Sequence, residues 1–181
     1  VLNACTEKKT KPQLDQTDES IYVKVLGIAQ DAGFPQAGCK KECCAHVWEH
    51  PEDRRRVASL GIVDRIHKTN WMIDASPDFP DQMRDLSHSV VKHEFCGIFI
   101  THAHIGHYTG LMHLGREVMG TKEVPVFAMP KMQFFLDSNG PWGQLIKLDN
   151  VRVMPLKADS SHIQNSHFAI TPLIVPHRDE F

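Results

Sequence analysis

A buried strand that leads directly into a cluster of histidines limits the folds open to this chain. The apolar residues 96–100 (CGIFI) precede residues 101–111 (THAHIGHYTGL), so His102, His104 and His107 fall within six residues. Positions i and i+2 of an extended segment point to the same side, so the first two histidines can approach one ion. The chain then turns, and the third histidine can approach from another side. Three imidazoles with one open position are typical of a catalytic zinc site.

Composition excludes several classes of protein. The chain has 181 residues, enough for about one domain. Hydrophobic residues make up 41% and charged residues 23%, which excludes a wholly disordered chain, collagen and a coiled coil. The formal net charge is −2 and no basic patch stands out, so we expect no nucleic-acid partner. No apolar run approaches the roughly 18 residues of a transmembrane helix.

Strand-like and helix-like segments alternate along the chain, which predicts an α/β layered domain. Alternating and β-branched patterns predict strands at residues 21–29, 58–66, 70–76, 96–104, 124–129, 151–156 and 166–177, with a weaker strand pattern at 145–148. Helical spacing predicts helices at residues 77–88, 109–120 and 131–139, with short helical potential at 45–49.

The N-terminal segment VLNAC (residues 1–5) resembles the lipobox of bacterial lipoproteins, in which Cys5 would be lipidated. The charged and apolar regions of an export signal do not precede it, so a chance match in a cut or cloned fragment is the alternative. Residues 6–20 are polar and predict a flexible tether. We expect an exported bacterial lipoprotein, located in the periplasm or held at a membrane, whose contact with the membrane is through a lipid on Cys5 alone. The alternative is a cytoplasmic protein. Residues 1–20 would form the anchor and tether, and residues 21–181 the folded domain.

The histidine segment is similar to the HxHxDH signature of the metallo-β-lactamase fold superfamily, and the resemblance extends over about residues 21–181. Residues 25–39 (VLGIAQDAGFPQAGC), 70–83 (NWMIDASPDFPDQM) and 98–111 look most like the branch that contains pyrroloquinoline-quinone biosynthesis protein B (PqqB). The resemblance implies an αβ/βα four-layer sandwich. It places a bridging aspartate and a last histidine beyond Phe181, so we expect the N-terminal half and only the start of the second half here.

The resemblance also implies which histidines bind the first metal. His102 and His104 match two of the ligands, and His177, at the end of a strand-like run, is the best match to the third. His162 and His167 are the alternatives for that third ligand.

A second metal site would include His107, but the aspartate of the signature is Gly106 in this sequence. Glycine has no side chain that could bind a metal, so the resemblance implies one active-site zinc ion, with a second ion as the alternative. Asp74 resembles a strand-end aspartate of the family that would orient a ligand histidine, the alternative being a plain turn residue. The candidate catalytic groups are therefore His102, His104, His107 and Asp74.

The cysteines Cys39, Cys43 and Cys44, with His46 nearby, form another candidate metal site. PqqB-like and related phosphodiesterase-like members carry a structural zinc in this loop, so the resemblance implies one here. Three thiolates supply three tetrahedral ligands, and either the nearby histidine or one beyond Phe181 would supply the fourth. A disulfide or unpaired thiols are the alternatives.

The resemblance implies a metal-dependent hydrolase that uses metal-activated water on a small phosphodiester or ester substrate. The loss of the signature aspartate at Gly106 favours a second class, a non-enzymatic PqqB-like protein in quinone cofactor biosynthesis or handling. A true periplasmic β-lactamase is disfavoured, because the PqqB-like loop and its cysteines indicate another branch.

Overall fold

A computed structural model describes residues 20–30, 32–89, 92–165 and 168–178. Its main sheet has six strands in chain order, β1 Ile21–Gly27, β2 Ser59–Asp64, β3 Thr69–Ile73, β4 Glu94–Phe99, β5 Val124–Ala128 and β6 Val151–Pro155. The first three strands pair antiparallel, and β3 to β6 pair parallel. Two further strands, β7 His162–Ile163 and β8 Ala169–Ile170, form a separate antiparallel ribbon.

The described residues also form four α-helices, α1 Glu42–Glu49, α2 Phe79–Ser89, α3 Pro130–Ser138 and α4 Trp142–Lys147. Short 3₁₀ turns occur at Pro51–Asp53, Ile105–His107 and Thr109–Leu114. None of the helices in this part of the chain is long and apolar enough to cross a bilayer.

Successive side chains of a strand point to opposite faces, and this alternation divides the apolar residues of the sheet. One face forms the larger core with the helices and the Thr109–Leu114 turn; it includes Val63, Met72, Ile98, Val126, Phe79, Leu86, Met132, Leu136 and Leu145. The opposite face carries a smaller cluster of Ile62, Trp71, Phe99 and Leu156. Most of the apolar burial therefore lies on the helical side.

Parallel pairing brings the carboxyl ends of β3, β4 and β5 to one edge of the sheet. Asp74 follows β3, residues 100–107 follow β4, and Met129 follows β5. Loops at the carboxyl ends of parallel strands are where open α/β sheets bind ligands. The same edge receives the histidine-rich loop.

The structure confirms the alternation of strands and helices but not the predicted helix at residues 109–120. That segment forms the 3₁₀ turn Thr109–Leu114 instead. Gly110 packs so closely on the preceding loop that a Cβ atom there would lie 2.3 Å from the carbonyl oxygen of Ser76. Glycine also has low helix propensity, and Gly115 ends the turn.

Two predicted strands are also wrong. Residues 145–148, predicted as a strand, lie at the end of helix α4, where Leu145 and Ile146 both pack against the core. An apolar run this short does not distinguish helical spacing from strand alternation. The strand predicted at 166–177 is reduced to Ala169–Ile170 among the described residues, and residues 171–178 have no regular structure. Its two prolines lack the N–H group that a strand ladder needs. The segment with Cys5 and the predicted tether up to residue 19 lie outside the described residues.

Candidate metal centre

Three histidine rings converge at the carboxyl edge of the sheet. Nε2 of His102 and Nε2 of His177 each lie 3.0 Å from Nδ1 of His104. These nitrogen atoms all lie within 4.8 Å of one another. His104 is buried, His102 is half-buried and His177 is exposed. Without an ion, such distances suit ring-to-ring hydrogen bonds; with one, three imidazole nitrogens can share it as ligands.

Asp74 orients His102 through the side chain of Thr101. The backbone N–H of Thr101 donates to Oδ1 of Asp74 at 2.8 Å, and its hydroxyl lies 2.9 Å from both carboxylate oxygens. Because a carboxylate only accepts, the hydroxyl donates to Asp74 and accepts from Nδ1 of His102 at 2.8 Å. The ring proton of His102 therefore lies on Nδ1, and Nε2 keeps an electron pair for a metal.

The environment of His102 also favours its neutral form. Burial lowers the pKa of His102 below its ordinary value, and the neighbouring imidazole of His107 lowers it further, against the opposing effect of Asp74. Neutral imidazole is the form that binds a metal. The ring is thus ready to bind an ion near neutral pH without first losing a proton.

The backbone of Asp74 turns sharply to deliver its carboxylate to this site. Its φ of 62° lies in the left-handed region, which aspartate tolerates better than most residues with a side chain. The N–H of Asp74 donates to the carbonyl oxygen of Phe99 at 2.8 Å, and the Ser59 hydroxyl lies 3.1 Å from its carbonyl oxygen. Bonds from two neighbouring strands therefore hold the residue in this conformation.

His107 lies beside the three-histidine group on the same carboxylate. Its Nδ1 is 2.7 Å from Oδ2 of Asp74, and only 13% and 8% of the two side chains are exposed. The ring centroids of His107 and His102 are 4.1 Å apart. His107 is nevertheless not one of the three converging histidines, and Gly106, the residue before it, is buried in the same Ile105–His107 turn. A second metal at His107 stays a prediction.

The ribbon of β7 and β8 ties the segment that carries His177 to the main sheet. The side-chain amide of Asn165 donates to Oδ2 of Asp64 at 2.7 Å, at the end of β2. The ring of Phe168 packs edge-on against Trp71 with centroids 4.9 Å apart. These two contacts precede the irregular segment that reaches the histidine cluster.

The other predicted third ligands do not join the cluster in the described structure. Nε2 of His162 accepts from the backbone N–H of Lys157 at 3.3 Å, away from the converging rings. His167 lies outside the described residues. His177 is therefore the histidine that the structure brings to the signature pair.

The three cysteines of the second candidate site lie together. The sulfur atoms of Cys39, Cys43 and Cys44 are all within 4.8 Å of one another, and the last two are 4.0 Å apart. All three are free thiols, so the described residues contain no disulfide here. Nε2 of His46 lies 3.2 Å from Oδ2 of Asp53, and this histidine does not join the thiol group. Among the described residues, the group has three ligands.

A cleft of about 860 Å³ opens beside the three histidines. Its walls include apolar side chains of α3 together with Lys131, Asn139 and Arg178. Sequence reasoning did not identify these residues, nor Thr101. The signal available for Thr101 was its place directly before the histidine pair, but a threonine there is equally typical of a turn.

Comparison with protein families matches residues 69–181, more than half of the chain, to the β-lactamase superfamily domain. Comparison with curated proteins finds no significant match.

Solved structures of other proteins are similar to this chain, among them three with TM-scores of 0.51 to 0.71. Zn²⁺-bound PqqB from Methylobacterium extorquens has a TM-score of 0.71 and 20% identity, over 85% of this chain and 56% of that one. A diphosphatase from the PhnP family has a TM-score of 0.59 and 23% identity, over 82% of this chain and 54% of that one. The metallo-β-lactamase fold protein YhfI from Bacillus subtilis has a TM-score of 0.51 and 14% identity, over 83% of this chain and 51% of that one.

This chain therefore spans about half the length of each of the three similar proteins. At these identities the similarity establishes the fold, and it confirms the predicted α/β class and the resemblance seen in the histidine signature. By its domain match and its fold, the chain belongs to the β-lactamase superfamily with the metallo-β-lactamase fold.

Proposed function

We propose that this protein is a metal-dependent hydrolase of phosphodiesters or esters. The observation that carries the proposal is the convergence of three imidazole nitrogens, from His102, His104 and His177, beside an open cleft. Such a set suits a catalytic metal because three protein ligands leave one position for water or substrate. Membership of the superfamily supports the same chemistry.

The donor set fits zinc, for which imidazole nitrogen is a common ligand. A bound zinc ion in the similar PqqB supports this choice, and the similarity to a diphosphatase of the PhnP family supports a substrate with a phosphoryl group. When bound, zinc would act as a Lewis acid and would lower the pKa of a water ligand toward about 7.

The protein's own residues then have distinct roles. Asp74 and Thr101 keep the ring proton of His102 on Nδ1 and so present Nε2 to the ion. Nδ1–H of His107 donates to the same aspartate, which leaves its Nε2 able to accept a proton beside the cluster. One side of the site is lined by apolar side chains of the cleft, among them Met132 and Phe135.

We also propose a structural zinc at Cys39, Cys43 and Cys44. The support is the mutual approach of their sulfur atoms within 4.8 Å, which suits three thiolate ligands of a tetrahedral ion. The fourth ligand would be a histidine, because structural zinc sites are closed by four protein ligands.

Attachment to a membrane through a lipid on Cys5, in an exported protein, remains part of the proposal. It rests on the lipobox-like sequence VLNAC.

A non-enzymatic role in quinone handling is the second candidate, and Gly106 favours it. Glycine stands where the signature has a metal-binding aspartate, so the site would hold one ion rather than the pair that two-metal hydrolysis uses. This candidate predicts that the histidine site binds metal but that phosphodiesters and esters are not hydrolysed.

Metal analysis combined with a hydrolysis assay tests the proposal. We expect about two zinc ions per chain in the wild type. The double variant His102→Ala/His104→Ala should lose one ion and its phosphodiesterase activity, while Cys43→Ser/Cys44→Ser should lose the other ion. His88→Ala, an exposed histidine in the last turn of α2, is the matched control and should keep both.

Two results would count against the assignments. Unchanged zinc content in the double histidine variant would refute the active-site metal. Retained zinc without turnover of bis(p-nitrophenyl) phosphate or p-nitrophenyl acetate would favour the non-enzymatic candidate.

A further inference from the structure

We propose that the cleft beside the histidines binds a small organic anion that carries an aromatic or similarly large apolar group, such as an aryl phosphate ester. The inference deepens the proposed function and rests on it for the reaction, but binding can be tested without turnover. Lys131 and Arg178 would bind the anionic group, and Phe134 would contact the apolar group.

The charge of the cleft indicates an anionic ligand. Lys131, in the first turn of α3, and Arg178, directly after the candidate ligand His177, both line the cleft that holds the histidines. Lysine and arginine side chains pair with phosphate and carboxylate groups through charge-assisted hydrogen bonds.

A second groove along α3 has mainly acidic groups among its charged side chains, in contrast to the cleft that holds the histidines. It has a volume of about 560 Å³ and is lined by Glu123, Asp137 and Asp149, with Arg152 as its cationic group. Phe134 borders both grooves. Acidic groups therefore lie on one side of this helix and cationic groups on the side of the histidines, so an anion is directed to the histidine side.

The apolar wall indicates that the ligand is more than an inorganic anion. Met129, Met132, Phe135 and Val175 line the cleft together with Phe134, whose surface is 73% exposed. The ring of Phe135 is held against Tyr108 with centroids 5.1 Å apart. An exposed aromatic ring beside a candidate catalytic site offers apolar surface that a ligand can cover.

The size of the cleft supports the same conclusion. Its volume of about 860 Å³ falls in the range of about 300–1,000 Å³ that is typical of sites for small organic molecules. An inorganic phosphate would leave most of this space and the whole apolar wall without a contact. A phosphate or phosphonate with one ring would meet both the cations and the wall.

Binding of non-hydrolysable probes to the full chain tests this proposal, with and without added zinc. Phenylphosphonate has both the anion and the ring, methylphosphonate lacks the ring, and benzamide lacks the charge. By isothermal titration calorimetry we expect phenylphosphonate to bind about tenfold more tightly than either partial probe, because each removed contact is worth about 1.5 kcal/mol or more.

Substitutions then separate the two halves of the site. Lys131→Ala/Arg178→Ala should weaken phenylphosphonate binding about tenfold or more and leave benzamide unchanged, since charged hydrogen bonds are lost. Phe134→Ala should weaken phenylphosphonate and benzamide but not methylphosphonate. Lys147→Ala, an exposed lysine at the end of α4 outside the cleft, should change none of them. All these side chains except Arg178 lie on helices, and circular dichroism checks that each variant stays folded.

A charge-retaining variant guards against an indirect effect. Lys131→Arg/Arg178→Lys keeps both positive charges and should restore phenylphosphonate binding to within about threefold of the wild type, because both side chains still donate to an anion. The proposal would be overturned if the double alanine variant bound phenylphosphonate as tightly as the wild type, or if methylphosphonate bound as tightly as phenylphosphonate.

A kinetic comparison distinguishes failure of this inference from failure of the proposed function. Bis(p-nitrophenyl) phosphate is anionic and p-nitrophenyl acetate is neutral, and both release the same leaving group. The double alanine variant should lower kcat/KM for the first about tenfold and leave the second unchanged. If neither ester is hydrolysed but the binding pattern holds, the hydrolase proposal fails and the anion cleft stands. If hydrolysis occurs and the variant changes neither binding nor this ratio, the cleft assignment fails alone.

Discussion

The hydroxyl of Thr101 connects a carboxylate to a candidate metal ligand. It donates to Asp74 and accepts from Nδ1 of His102, so one small side chain selects the tautomer of the histidine. Groups that orient a ligand histidine are commonly worth 10- to 100-fold in metal affinity. Thr101 is thus a positioning residue for the candidate metal site.

Replacing Thr101 tests this connection. Thr101→Val keeps the shape but removes the hydroxyl, so we expect zinc affinity at the histidine site to fall about 10- to 100-fold. Thr101→Ser keeps the hydroxyl and should stay close to the wild type. Competition with a chromophoric chelator measures both affinities, in protein whose cysteine site has been inactivated by Cys43→Ser/Cys44→Ser. Equal affinities of the valine and serine variants would show that the hydroxyl does not orient His102.

The spacing of residues in the sequence predicts some contacts of the candidate site and not others. The i, i+2 spacing predicted that His102 and His104 approach each other, and their nitrogens lie 3.0 Å apart. Spacing could not bring in His177, which is 73 positions from His104 in the chain, and only the family resemblance pointed to it. His46 was grouped with the cysteines because it is near in sequence, but its side chain is directed to Asp53. Proximity in sequence does not fix the direction of a side chain.

At the scale of elements, the Thr109–Leu114 turn keeps the histidine loop against the end of β3. The N–H of Gly110 donates to the carbonyl oxygen of Ala75 at 2.8 Å, and the N–H of Ala75 donates to that of His107 at 2.9 Å. This contact needs a glycine, because a Cβ at position 110 would lie 2.3 Å from the Ser76 oxygen and 2.7 Å from Cβ of Phe79. The close approach holds Asp74 beside His107.

Gly110→Ala should therefore separate the turn from the loop. We expect the free energy of unfolding to fall by about 2–3 kcal/mol, since the clash is with backbone atoms and with the Cβ atom of buried Phe79 rather than with the end of a flexible side chain. Zinc affinity at the histidine site should fall with it. Met112→Ala changes an exposed residue of the same turn and should cost less than about 0.5 kcal/mol. Urea denaturation compares the two; a similar small loss in both variants would contradict the packing argument.

The length of a pattern did not decide which elements were predicted correctly, since the helix predicted at 109–120 and the strand predicted at 166–177 were both long patterns. β2 and β3 overlap the strands predicted at 58–66 and 70–76 and pair antiparallel, and the helix after β3 lies close to the predicted range 77–88. The elements that were predicted wrongly depend on contacts that spacing does not report. The conformation at Gly110 depends on its close packing against the backbone of Ala75 and Ser76, which are distant in sequence. The apolar run that ends α4 is too short for its spacing to distinguish a helix from a strand.

At the scale of the whole molecule, the two faces of the sheet are unequally covered. Among the residues that the structure describes, the helical face buries the larger cluster and the opposite face the smaller one. Val23 and Val25 of the edge strand β1 remain 59% and 60% exposed, and Val23 pairs with Ile62 of the smaller cluster. An apolar face next to an edge strand favours association between chains.

Because the two faces are unequally covered, replacing valine by threonine should change stability little on the β1 face and much more on the helical face. Val23→Thr/Val25→Thr keeps the β-branched shape while adding hydroxyls to exposed positions. We expect it to lower the fluorescence of a bound apolar dye and the association seen by light scattering, with a change in unfolding free energy of about 0.5 kcal/mol or less per site. Val63→Thr, on the helical face where Val63 is fully buried, should instead cost about 1–3 kcal/mol, because its hydroxyl is buried in the apolar core. If the β1 variant lost as much stability as Val63→Thr, the valines of β1 would have to be covered in solution, and the face they lie on would not be open.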